Sequence, residues 1–376
     1  MRPKILFYVQ HLLGIGHLVR CHRIARALAA NDFDVLIVSG GLPTPAMDIG
    51  AAQLQQLTPI KTDVDFAGLL HADGRPFTDG DRHARRDQLL AHFDSFAPDI
   101  LLTEAFPFGR RQMRFELLPL LEKARTRRKP PLVAVSVRDI LQEKTKPGRS
   151  EETADIIKRF YDLVLVHGDP HLCRLDETFS LATRFADKIA YTGIVAPSPT
   201  TFAGEAHDVI VSAGGGAVGA TLLDAALRAK PLSRLANKRW LIVTGPNLDP
   251  AREMALSQLA GNDVTIARFL PDLPARLSRA TLSISQAGYN TVADLLVAGC
   301  RSVLIPFAAG GETEQPVRTR LMERLGLAIG VDEAALTPET LADTIDRALV
   351  LPKPETNLAL DGAAETGRIL LKALRG

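Results

Sequence analysis

The sequence predicts an α/β protein made of two doubly wound, Rossmann-like domains. Three observations carry that expectation. Short continuous apolar runs recur along the chain, each separated from the next by helical or polar sequence, which is the pattern of parallel strands buried on both faces. The series is interrupted once, by TGIVAPSPTTFAGEAHD after Tyr191, whose two prolines and small polar residues read as a linker. In both halves a glycine-rich turn stands where a strand gives way to a helix, the place where doubly wound sheets bind ligands.

Composition agrees with this. The chain has 376 residues, 46% hydrophobic and 23% charged, a globular composition and enough length for about two domains. A net charge of +2 gives no reason to expect a nucleic-acid partner. The basic run Lys123 to Lys129 (KARTRRK) is either a solvated helix end or a contact for an acidic partner or membrane surface. Cys21, Cys173 and Cys300 are far apart and have no zinc-site spacing, which points to a reducing compartment. The N-terminus has no signal-peptide apolar core, and no stretch approaches the ~18 apolar residues of a membrane span. The expected location is cytoplasmic, with room for peripheral attachment at the inner membrane face.

The elements follow in order. Ile5 to Val9 (ILFYV) is the first strand, and a glycine turn ends it. From His17 the apolar positions Cys21, Ile24, Ala25 and Leu28 share one helical face, while Arg20, Arg23 and Arg26 fall on the others. Val35 to Val38, Ile100 to Thr103, Leu132 to Val137 and Leu163 to Val166 continue a first domain over 1–195. The stretch from Gly41 to Arg86 is loop-rich and reads as a binding or lid element. A second domain, 205–355, takes its strands from Val209 to Val211, Leu241 to Val243, Val264 to Ala267, Leu282 to Ile284 and Val303 to Ile305. Pro352 and Pro354 introduce a helix over about Glu355 to Arg375, so 356–376 is expected to be a terminal helix able to pack back on the first domain. Two such domains face each other across a cleft at the carboxyl ends of their strands.

Chemistry concentrates at those strand ends. SAGGGAVGA places Gly214, Gly216 and Gly219 in GxGxxG spacing, with Gly215 between them. The backbone can approach a phosphate there, and the helix N-terminus supplies donors. The next strand ends VTGPN, without the acid that a dinucleotide site wants. The loop is therefore read as a diphosphate or substrate loop, with a tight turn as the plain alternative. In LSISQAGYNTVADLLVAG, the free N–H groups and short polar side chains of Ser285, Gly288, Asn290 and Thr291 converge on an anion position. Asp294, one turn inside, could accept from a ribose diol. The plain alternative makes Asn290 and Thr291 caps and Asp294 a dipole-compensating acid.

In the first half, TEAFPFGRRQ and SVRDIL put Glu104, Arg110, Arg138 and Asp139 at strand ends. Glu104 reads as a general base and Arg138 as an anion clamp, or Arg138 and Asp139 as a structural pair. Asp63-Val64-Asp65 has the DxD form of metal-dependent sugar transferases but lacks a preceding strand. His167, His171 and His207 show no ligand spacing and default to surface or capping roles.

The run SQAGYNTVADLLVAGCRSVLIPF, with GGETEQPVRTRLMERLGLAIGV after it, resembles the C-terminal domain of family 28 glycosyltransferases, the family of the N-acetylglucosaminyltransferase of peptidoglycan synthesis. FLPDLPARLSRA and the SAGGGAVG loop extend the likeness. GIGHLVRCHRIARAL is similar to the family's N-terminal glycine turn plus histidine, and also to UDP-sugar hydrolases of pseudaminic acid synthesis. The resemblance implies a GT-B fold, with acceptor domain first and donor domain second, and a UDP-sugar as co-substrate without metal or other cofactor. It implies that Asp294 holds the ribose, where the family commonly has Glu. Phe269 and Leu270 match the segment that reads the base. Gly288, Tyr289 and Asn290 match the diphosphate-binding helix start. Glu314 and Gln315 fall where the family has a polar pair, often two glutamines, facing the donor sugar. His17 is expected to deprotonate the acceptor or to hydrogen-bond a substrate, with Glu104 as the competing base. Gly16, Arg110, Arg138 and Asp139 are the expected acceptor contacts.

The function expected is inverting, metal-independent transfer of a sugar from a UDP-sugar to a hydroxyl acceptor in cell-surface glycan or glycolipid synthesis. A lipid-linked intermediate, a polysaccharide and a small molecule all remain open as acceptor. A UDP-sugar hydrolase and a non-catalytic nucleotide-sugar binding protein are the alternatives.

Overall fold

The computed structural model describes residues 2–12, 16–44, 48–62, 68–142, 147–214, 219–245 and 248–375. The chain divides into unit 1, over 1–195 and 361–376, and unit 2, over 196–360.

Unit 1 runs β1 (Lys4–Val9), α1 (Gly16–Ala30), β2 (Asp34–Ser39), β3 (Gln53–Gln56), β4 (Ile60–Thr62), β5 (Leu69–His71), α2 (Asp79–Phe96), β6 (Ile100–Glu104), α3 (Arg114–Thr126), β7 (Leu132–Arg138), α4 (Arg149–Phe160), β8 (Leu163–His167), α5 (Leu175–Thr178) and β9 (Ile189–Tyr191). Seven strands form one parallel sheet in the order β3-β2-β1-β6-β7-β8-β9. The order reverses between β1 and β6, which opens a crevice at their carboxyl ends. These two strands bury nearly every side chain, so their sequences are unbroken apolar runs rather than alternating ones.

Unit 2 runs β10 (Val209–Ser212), α6 (Ala220–Ala229), β11 (Trp240–Val243), α7 (Pro250–Leu259), β12 (Val264–Ala267), α8 (Leu273–Leu277), β13 (Leu282–Ser285), α9 (Tyr289–Ala298), β14 (Ser302–Leu304), α10 (Glu314–Arg324), β15 (Ile329–Gly330) and α11 (Pro338–Val350). Its parallel sheet has the order β12-β11-β10-β13-β14-β15, with the reversal between β10 and β13. The last helix, α12 (Gly362–Arg375), packs on α1 and belongs to unit 1.

Three expectations are sharpened. The stretch from Gly41 to Arg86, loop-rich as expected, also holds the edge strand β3, the β4–β5 antiparallel pair and the start of α2. Thr78 and Asp81 close that helix start with a reciprocal capping box. The linker begins later than Tyr191, because Ile194 and Val195 are buried in unit 1 and Val195 bridges to Asp361. Finally, α12 starts at Gly362 rather than Glu355. A β-carbon on Gly362 would stand 2.3 Å from the Gly193 carbonyl oxygen, so the helix begins where glycine permits close approach.

The basic run Lys123 to Lys129 closes α3 and pairs with acids of its own unit, Lys123 with Asp94 at 2.5 Å and Arg125 with Asp162 at 2.8 Å. The three cysteines are free thiols and all buried. Among the described residues, no helix is long and apolar enough to cross a membrane.

Candidate active site

In unit 1 the reversal point is filled by charged side chains. Glu104 ends β6 and is completely buried. Its Oε1 accepts from His17 Nδ1 at 2.9 Å and from the Arg20 guanidinium, and its Oε2 accepts from Ser136 Oγ at 2.5 Å. Burial alone raises the carboxyl, but the Arg20 charge and the hydrogen bonds from His17 and Ser136 overcome it and hold the group at about 2. With both oxygens engaged and the side chain completely buried, Glu104 is placed to orient His17.

The same geometry fixes the histidine. An ionised carboxylate only accepts, so His17 Nδ1 carries the proton and Nε2 is bare. Burial and then the Arg110 charge push the imidazole down to about 3, so it stands neutral at physiological pH. About 18% of its side chain remains exposed, where that of Glu104 has none. Gly16, just before it, is exposed as the first residue of α1.

Arg110 follows β6 in a left-handed backbone conformation and donates from Nε to the Gln10 carbonyl at 2.6 Å. Burial and the charge of Arg138 lower it to about 10, which still leaves it cationic. Gln10 is itself held by Arg85 at 2.7 Å, and Arg85 pairs with Glu116 at 2.8 Å in a fully buried cluster that also includes Tyr8. Asp139 departs from its expected place as a ligand contact. It is 1% exposed, and its Oδ1 accepts from the Ile140 N–H at 2.8 Å.

Four residues here carry no site role in the sequence reading. Arg20 belongs to the glycine-turn spelling and falls by its spacing on a non-core face of α1, yet is buried against Glu104, while Ser136 and Arg85 give no signal beyond their positions. His167, expected at the surface or in a cap, is fully buried at the end of β8. His171 is exposed and bonded to Asp169.

In unit 2 the reversal point is lined by backbone. Gly288 precedes α9 in extended conformation, and no side chain caps that helix. Gly219 precedes α6, again without a side-chain cap. A β-carbon on Gly219 would lie 2.2 Å from the Ala213 β-carbon, so only glycine fits at that position beside the end of β10. Gly214 is left-handed at φ 61°, whereas Gly215 and Gly216 lie outside the described residues, as does the Asp63 to Asp65 motif. Because Ser212 and Ser285 are in register on adjacent strands, two uncapped helix starts follow neighbouring strand ends. Each offers first-turn N–H groups and the positive end of a helix dipole.

The side chains expected at this site divide. Phe269 is 57% exposed and Leu270, Asn290 and Thr291 are half-buried, while Asp294 is largely buried one turn into α9. Ser285 is buried with its hydroxyl 2.7 Å from that of Ser283, so its side chain does not face a ligand. Tyr289 packs beneath the Arg318 guanidinium. Glu314 also departs from expectation. Its carboxylate is buried in a 2.9 Å pair with Arg318, which donates on to the Ala287 carbonyl. A carboxylate in place of an amide has found an arginine one turn along its own helix. Gln315 Oε1 accepts from both Ala287 N and Phe307 N at 3.1 Å, which leaves its amide NH2 as the group able to meet a ligand.

Residues 210–364 match the family model described as Glycosyltransferase family 28 C-terminal domain. Unit 2 thus carries the family 28 resemblance. Among curated proteins, the chain is 32% identical over 178 residues to the UDP-N-acetylglucosamine--N-acetylmuramyl-(pentapeptide) pyrophosphoryl-undecaprenol N-acetylglucosamine transferase of Methylibium petroleiphilum, covering 46% of this chain and 48% of that protein. The protein of the same name from Rhodospirillum centenum is 36% identical over 118 residues, 31% of each chain. The chain thus spans about half the length of the first of these relatives and less of the second. Among solved structures, Acinetobacter baumannii MurG superposes with TM-score 0.61 at 16% identity over 98% of this chain and 100% of its own. The calicheamicin glycosyltransferase CalG4 gives 0.61 at 14% over 99% and 95%. With two parallel Rossmann-like sheets, the fold is GT-B.

Proposed function

We propose that this protein is an inverting, metal-independent glycosyltransferase that moves a sugar from a UDP-sugar to a hydroxyl acceptor in cell-surface glycolipid synthesis. The observation that carries the reading is the His17–Glu104 pair at the sheet reversal of unit 1, in a chain whose other unit matches the family 28 C-terminal domain.

Unit 2 holds the nucleotide sugar. Asp294 takes the ribose hydroxyls, the segment at Phe269 and Leu270 the base, and the Gln315 amide the sugar. Unit 1 holds the acceptor. His17 Nε2 removes the acceptor hydroxyl proton as that oxygen bonds the anomeric carbon and the bond to the diphosphate oxygen breaks. The imidazolium so formed is stabilised by the adjacent Glu104 carboxylate. Charge moves onto the departing diphosphate, where the first-turn N–H groups of α6 and α9 meet it without reorganisation. That positive potential is what lets the reaction run without a divalent cation. The charge of Arg110 acts on His17, and that of Arg138 acts on Arg110, a pair of cations that suits an acceptor bearing phosphate. By their names, the curated relatives act on a pyrophosphoryl-undecaprenol acceptor.

The test incubates the full chain with a panel of UDP-sugars, with and without lipid-linked and soluble acceptors, and measures UDP release and product anomeric configuration. Acceptor-dependent release with inversion, unaffected by excess chelator, is expected. UDP release that no acceptor accelerates would instead support the hydrolase, whose N-terminal spelling this chain shares at Gly14, Gly16, His17, Arg20 and Cys21. Binding without release in every condition would support a sensor.

A further inference from the structure

The His17–Glu104 pair is the outer end of a longer buried chain. Ser136 faces Glu104 across the β6–β7 register, and His167 closes the neighbouring strand β8. Ser136 Oγ lies 2.5 Å from Glu104 Oε2 and 2.8 Å from His167 Nε2, and His167 Nδ1 lies 2.9 Å from Thr192 Oγ1. Glu104, Ser136 and His167 are completely buried and Thr192 is 2% exposed, so water does not compete for these contacts.

Proton counting gives the chain a direction. Glu104 is ionised and only accepts. Ser136 has one hydroxyl proton, which goes to Glu104 Oε2, so at the serine–imidazole contact the histidine must donate from Nε2–H. Glu104 is then held at both oxygens, by Ser136 at Oε2 and by His17 and Arg20 at Oε1. Its carboxylate plane has no freedom to turn.

We propose that Ser136 and His167 are positioning residues, which hold the Glu104 carboxylate in the one rotation that keeps the proton of His17 on Nδ1 and leaves Nε2 bare toward solvent. The consequence for turnover rests on the transferase reading above; the tautomer does not. Without Ser136, Oε2 loses its donor, the carboxylate is free to turn, and the His17 proton is no longer confined to one nitrogen.

The experiment uses the full chain labelled with 15N-histidine, near neutral pH, with His17 assigned by the resonances missing in His17→Gln. Wild type should show His17 as a single neutral Nδ1–H tautomer. Ser136→Ala should show a tautomer mixture and about tenfold lower kcat, less than the ~10²-fold that a 1 Å misplacement can cost, with the KM for nucleotide sugar unchanged. Ser136→Thr, which restores the hydroxyl, should recover both. His167→Leu keeps the serine and removes its donor, so it reads the same tautomer if the alanine variant does not fold. A pure Nδ1–H tautomer in both Ser136→Ala and His167→Leu would overturn the proposal whatever the activity. A tautomer mixture together with wild-type kcat would leave the positioning role standing and remove His17 as the base.

Discussion

The two sheets share one topology but use their reversal points in opposite ways. In unit 1, between β1 and β6, the crevice is built from buried ionisable side chains, His17, Arg20 and Glu104, locked by hydrogen bonds. In unit 2, between β10 and β13, the same position is built from glycines and uncapped helix starts, and the described ionisable groups, Asp294 and Glu314, are drawn inward. Backbone donors suit a group whose charge is permanent, such as a diphosphate. Side chains suit a step in which a proton moves. The fold provides the crevice, and the residues at its rim decide which chemistry it serves.

The largest expected effect tests the side-chain half. Arg20→Met leaves Glu104 buried without its cation and should cost ~3–5 kcal/mol of stability, the usual consequence of breaking a buried pair. Chemical denaturation would measure it, and a loss below about 1 kcal/mol would mean that the pair is replaceable. Next, His17→Ala should lower turnover at least ~10²-fold while calorimetry shows UDP binding intact, since the proposed nucleotide site lies in unit 2. Unchanged turnover would remove the base.

The backbone half should respond more mildly. Asp294→Ala is expected to weaken UDP binding by ~1–3 kcal/mol, the scale of hydrogen bonds involving a charged group; equal affinity would move the ribose contact elsewhere. The pH dependence of stability again separates the units. His17 and His167, held down to about 3, and His22, held down to about 4, all chiefly by burial, lie in unit 1. Their folded values are below those of an unfolded chain, which titrates near ~6.5. The unfolded state therefore binds more protons below that pH, and stability should fall from about pH 6.5 toward about 4 by at least ~1.4 kcal/mol per unit. Glu104, also depressed, adds a loss only at still lower pH. Denaturation midpoints equal at neutral and mildly acidic pH would contradict neutral burial of these rings. The smallest effect is Thr291→Val, expected to change UDP affinity by less than ~0.5 kcal/mol because the backbone rather than the hydroxyl donates.

How much the sequence disclosed follows the same division. Apolar runs named the central strands, and a strand-end position was enough to single out Glu104 and, with the glycine turn, His17. Backbone sites are legible because glycine and helix-start patterns are local. Arg20 and His167 were not legible, since a buried polar group is recognisable only through its partner. Glu104 is 84 positions from Arg20, and Ser136 is 31 from His167. Edge strands escaped for another reason: β3 reads QLQQ and is mostly exposed, so it lacks the apolar run that marks its neighbours. Glu314 shows the limit of family pattern. Its position matched a sugar-facing amide, but the exchanged charge carried the side chain to Arg318.

The bridge between Val195 and Asp361 gives the polypeptide an unusual routing. The chain leaves unit 1 and re-enters it at touching points, so the family 28 segment is an insertion within a single parent domain rather than its downstream neighbour. Residues 196–360 form a cassette whose ends lie side by side, and a short turn joining Val195 to Asp361 would restore an unbroken path through the parent. Unit 2 is thereby carried as a self-contained module, whereas α12 makes residues 362–375 an integral part of unit 1. A truncation that removed α12 would strip the cover from α1, the helix whose second residue is His17.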